Sequence, residues 1–89
     1  MPRLPLTDHA ARRCRGRGIP QAAIAAALDY GRRRIIRGAE IYTLGWREVS
    51  QCAQLGIDLS RFESTAVVCS HSGAILTVYR NRRTHRYRS

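Results

Sequence analysis

The chain has 89 residues, 16 of them Arg and none Lys, against six acidic residues, for a net charge of +10. That length gives room for one domain with a modest core, and 44% apolar content is too high for a disordered basic tail. No apolar run approaches the roughly 20 residues of a membrane span, and Met1-Pro2-Arg3-Leu4-Pro5 lacks the apolar stretch of a secretory signal. A large enzyme, a channel, a fibre and a secreted disulfide scaffold are excluded.

In chain order, Thr7 or Asp8 caps a first helix, and Asp8 suits the positive end of its dipole. That helix runs through Arg15, with Gly16 and Gly18 as its stop signals. Pro20 opens a second helix, in which Ile24, Ala27 and Leu28 recur at helical spacing and which Gly31 ends. Ile24 and Leu28 are its expected core face. The period then changes. Residues 34–37 and 40–44 are short β-prone runs joined by Gly38-Ala39, a hairpin pattern. From Trp46 to Ile57 the pattern is ambiguous: Val49, Cys52, Ala53 and Gly56 have helical spacing. Residues 59–62 read as a loop or a short helical turn. Residues 64–69 and 74–79 are the clearest strands, separated by Ser70-His71-Ser72-Gly73, which is turn chemistry. The expectation is one α+β domain over residues 1–80, two N-terminal helices packed on a curved antiparallel sheet of about four strands, with residues 81–89 a flexible basic tail.

Arg is unevenly placed: nine lie in residues 3–37, two in 38–79 and five in the last ten. The nearly neutral middle is the core, and both flanks are basic. Charge this dense repels itself unless a polyanion neutralises it, and the Arg fork grips phosphate and stacks on bases. RNA or the ribosome is the favoured partner, an acidic protein the alternative, and a surface of solvated Arg the bland reading. No membrane partner is expected. Cys14, Cys52 and Cys69 are odd in number and far apart, and His9, His71 and His85 are scattered, so neither a disulfide framework nor a zinc site is indicated. No metal and no cofactor are expected, and reduced thiols fit the cytoplasm.

His9, Arg13 and Arg17 are spaced i, i+4, i+8, which lines one helix face. A His there can act as a proton carrier beside cations that neutralise a phosphate, or it can cap and pack while the Arg residues are solvated. Trp46 reads as core more than as a stacking platform, Glu40 as a solvated strand residue, and His71 as an exposed turn residue. Thr77 reads as an outward sheet position.

The run His9-Ala10-x-x-Arg13-x-x-x-Arg17-Gly18-Ile19, followed by a Pro-started helix, resembles the opening of the bacterial domain-of-unknown-function family 4258. That family closes on a valine-rich strand, a turn and a Thr-Val-Tyr-like triplet, here Val67-Val68, Gly73 and Thr77-Val78-Tyr79. The resemblance spans residues 7–80. It departs at Pro20, where Ser is more usual, and in a long 46–62 segment. It implies a fold like that of RelE and ParE toxins, barnase and colicin nucleases, with a cleft on the sheet face. By that analogy the chain is a toxin-type protein, a metal-independent ribonuclease. The alternatives are a non-catalytic nucleic-acid or ribosome-binding module, and a ParE-like protein-targeting toxin held by an acidic antitoxin. The expected catalytic group is His9, Arg13 and Arg17 on one wall with Tyr79 and Arg80 opposite. Arg12, Arg80, Arg82, Arg83, His85 and Arg86 are expected to bind nucleic acid.

Overall fold

The computed structural model describes residues 6–80. Helix α1 spans Asp8–Arg17, one residue past the expected stop at Gly16, and the chain leaves it at Gly18 in the left-handed conformation (φ 65°). There the N–H groups of Gly18 and Ile19 both donate to the Cys14 carbonyl, which satisfies the helix end. Thr7 is the N-cap, its hydroxyl oxygen accepting from the Ala10 N–H at 3.2 Å. Helix α2 spans Gln21–Tyr30, an Ala-rich run with high helix propensity.

Among the described residues, four strands form one antiparallel sheet in sequence order: β1 Arg32–Ile36, β2 Ala39–Thr43, β3 Thr65–Cys69 and β4 Ile75–Arg80. The hairpin between β1 and β2 turns on Arg37-Gly38, not on Gly38-Ala39: both residues have positive φ (52° and 81°). Such a turn matches the twist of a two-residue hairpin, and Gly38 enters it freely while Arg37 is strained. The ambiguous segment resolves as helix α3, Trp46–Gln54, followed by a 3-10 turn at Ser60–Phe62. Its start is fixed by the Glu48 carboxylate, which accepts from the Gly45 N–H at 2.9 Å.

Helices α1 and α2 cover one face of the sheet over β2, β3 and β4 and leave β1 exposed. Ala10 and Cys14 of α1, Ile19, and Ala23, Ile24, Ala26 and Ala27 of α2 pack with Val67, Cys69, Ile75 and Val78 in one buried cluster. Leu44, Cys52 and Leu59 extend it, and half-buried Leu28 packs against it. Full burial of Ile24, Leu44, Val67 and Val78 contributes about 1.5–3 kcal/mol each. Two contacts dock α1 beside β4: the Thr7 N–H donates to the Ile75 carbonyl at 3.0 Å, and Leu6 bridges to Ile75. A bulge opposite Val68/Cys69 lets both Ile75 and Val78 face the helices and leaves Leu76 as the extra, exposed residue.

Candidate nucleic-acid interface

Strand alternation and register decide what the other sheet face presents. Val67, Val78 and Tyr42 stand in one cross-strand row on the helix side, so their neighbours point the opposite way. The first open-face row is Arg32, Thr43, Ala66, Tyr79, and the next is Arg34, Ile41, Val68, Thr77. With strands about 4.8 Å apart, the Arg32 and Tyr79 backbones stand about 14 Å from each other across the sheet. Long side chains at both ends of the first row and short ones between them leave a hollow. The N-terminal turn of α3 walls it.

The result is a concavity of about 380 Å³ lined by Arg32, Arg34 and Ile36 of β1, Ile41 and Thr43 of β2, Gly45 to Glu48, and Tyr79. Three guanidinium groups line it against one carboxylate, and that carboxylate is engaged by the Gly45 N–H. Trp46 is not core: it is 36% exposed, and the Arg47 guanidinium sits 5.6 Å from its ring centroid. Cations and aromatic rings therefore line one surface.

Arg33, between Arg32 and Arg34 in sequence, faces the other side. Its Nε donates to Glu40 at 3.2 Å, and the Tyr42 hydroxyl donates to the same carboxylate oxygen at 2.8 Å. These two bonds, Tyr42 foremost, hold the Glu40 carboxyl below its ordinary value, and the bond to Glu40 raises the Tyr42 hydroxyl above its own while Arg33 opposes that rise. Glu40 is thus a structural anchor of the hairpin, where the sequence suggests a merely solvated residue. His71 is exposed in its turn.

His9, Arg13 and Arg17 come together as the sequence suggests, and Arg12 joins them. With Gly16 they line a second, shallower concavity on α1, about 400 Å³, and Arg13 Nε donates to His9 Nε2 at 3.4 Å. Tyr79 is not the opposite wall of that group. α1 is buried against Val78, so Tyr79, the next residue, projects from the far side of the sheet. Arg80 diverges again: one of its terminal nitrogens donates to the Arg61 carbonyl at 3.0 Å, while its Nε is buried without a hydrogen-bond partner. Arg82, Arg83, His85 and Arg86 lie outside the described residues.

Sequence reasoning alone missed Arg32, Arg34, Arg47 and Trp46 as a group. The available signal was the alternation within Arg32-Arg33-Arg34, which sends the outer two to one face once a strand is assigned from residue 32. Among the described residues no helix is long and apolar enough to cross a membrane, and no group of three His, Cys, Asp or Glu stands ready to hold a metal.

The fold and surface define a small α+β protein: helices on one face of a four-stranded antiparallel sheet, and a basic concavity bearing aromatic residues on the other. Compared with family models, curated proteins and solved structures, the chain matches none.

Proposed function

We propose that the protein binds single-stranded RNA across the open face of its sheet. The observation that carries this reading is the concavity in which Arg32, Arg34 and Arg47 share one surface with Trp46 and Tyr79. Phosphates of an extended strand meet the guanidinium forks, and bases stack on the rings. Stacking a base on an aromatic side chain is worth about 1–3 kcal/mol, largely independent of sequence. Binding therefore combines salt-dependent phosphate contacts with base stacking and is tolerant of base identity. The test is fluorescence anisotropy with a labelled single-stranded RNA of 12 nucleotides. Tyr79→Leu should weaken binding by roughly 5- to 150-fold, the range that stacking energy implies. Wild-type affinity in that variant, with the fold retained, refutes the sheet-face site.

A second reading, cleavage of a strand lying on α1 rather than on the sheet face, is favoured by one contact. Arg13 Nε donates to His9 Nε2, so this ring nitrogen holds a lone pair beside a cation. In that reading His9 takes the proton of a 2′-hydroxyl as it attacks the adjacent phosphorus, the P–O5′ bond breaks to leave a 2′,3′-cyclic phosphate, the departing 5′-oxygen takes its proton from water, and Arg13 and Arg17 balance the charge that builds on the phosphorus oxygens. Incubation of RNA with the protein in EDTA, followed by analysis for 2′,3′-cyclic phosphate ends, tests it. Intact RNA after long incubation with stoichiometric protein rules cleavage out and leaves binding.

A further inference from the structure

Two basic concavities lie on different sides of one sheet. We propose that the protein holds two single strands of nucleic acid at once, one in each, and so speeds the pairing of complementary strands. The proposal rests on the RNA-binding reading above and adds a second seat and an activity to it.

The second seat is built on α1. His9, Arg13 and Arg17 recur every four residues, so they stand about 6 Å apart along the helix axis. Arg12 flanks them, and Gly16 leaves a gap: a Cβ placed there would meet nothing within 4 Å. The lining residues are His9, Arg12, Arg13, Gly16 and Arg17, with no carboxylate. This surface offers cations without aromatic rings, so it grips a backbone and leaves the bases free. That suits a strand whose bases must find a complement.

The sheet and core separate the two seats. α1 buries Ala10 and Cys14 against Ile75 and Val78, while Arg32, Arg34 and Tyr79 line the far face. The molecule measures 34 × 30 × 23 Å, and the sheet with its core lies between the two seats. Two strands on one small protein are held at an effective concentration on the order of 1 mM. For strands at about 10 µM, pairing is then accelerated on the order of 100-fold at low salt.

The experiment has two readouts. Native mass spectrometry with a six-nucleotide RNA counts strands per chain. Fluorescence energy transfer between complementary labelled 12-mers follows annealing at stoichiometric protein. The wild type should carry two hexamers per single chain and accelerate annealing. Arg32→Gln/Arg34→Gln and Arg13→Gln/Arg17→Gln should each keep one hexamer and lose most of the acceleration. All four positions are exposed, and thermal melting confirms that each variant is folded. A wild-type chain that saturates at one hexamer overturns the proposal but leaves the RNA-binding reading intact. So does full acceleration by either variant. A wild type that binds no RNA at low salt overturns both.

Discussion

Replacing Arg32 and Arg34 together by Gln isolates the electrostatic part of binding. Both line the sheet-face concavity. Each phosphate neutralised on a single strand contributes about −0.7 to the slope of log affinity against log salt. If the whole protein engages about four to six phosphates, the wild-type slope is roughly −3 to −4, and losing two cations should flatten it by about 1.4. If the variants converge at 1 M salt, affinity falls about 25-fold at 0.1 M and about 5-fold at 0.3 M by the same relation. Arg33→Gln is the internal control. It removes the same charge from the middle of the same strand, but its side chain is on the other face and bound to Glu40. Titrations by anisotropy at four salt concentrations measure all three slopes. If Arg33→Gln flattens the slope by about 0.7, half the change of the double variant, the strand acts as undirected charge and the sheet-face geometry is irrelevant.

Other outcomes concern the scaffold. Gly31→Ala should destabilise by about 1–3 kcal/mol or more in urea unfolding, because a Cβ there collides with the Ala27 carbonyl oxygen and stands 3.2 Å from the Thr43 carbonyl carbon, all backbone; wild-type stability would show that α2 and β2 can separate at no cost. Ile24→Ala, at a fully buried position, should cost about 2–5 kcal/mol. Arg37→Gly should stabilise the hairpin by about 1 kcal/mol by relieving its left-handed conformation; destabilisation would show that the Arg37 side chain makes a contact worth more than the strain. The Glu40 carboxyl is held below its ordinary 4.5, so its contribution is fully present above that pH and is lost as pH falls through the lowered folded value. The urea midpoints of wild type and Glu40→Gln should therefore differ at pH 7, and the gap should shrink as pH falls below the ordinary carboxylate range; a gap that acidification leaves unchanged would mean the effect is not carried by the carboxylate charge.

The fold class was legible because each element carries its own local signal. Thr7 and Gly18 bracket α1, the Ala-rich run between Pro20 and Gly31 makes α2, and the change to alternation near residue 34 marks the sheet, whose first strand begins two residues earlier at Arg32. Residues 46–57 gave two readings because their helix is short and its face is completed by distant partners: Cys52 joins Leu44 and Leu59 in the core, with Val49 packed against it. The α1 cluster was legible for the same local reason, since i, i+4 spacing alone brings His9, Arg13 and Arg17 together. The sheet-face concavity was not. It depends on the pairing of Arg32 with Thr43, of Thr43 with Ala66 and of Ala66 with Tyr79, and cross-strand register is a tertiary property. For that reason Tyr79 was assigned to the wrong companions: its place at the end of β4 was visible, but the face it takes follows from which neighbour is buried.

The central claim is that RNA lies on the open sheet face, and photo-crosslinking tests it most directly. A single-stranded RNA carrying 4-thiouridine, irradiated in complex at low salt, should join to Trp46 or Tyr79, as read by mass spectrometry of the digested protein. Both residues line the concavity and offer rings to a stacked base. Crosslinks confined to residues outside it, with Trp46 and Tyr79 unmodified at saturating RNA, would contradict the account.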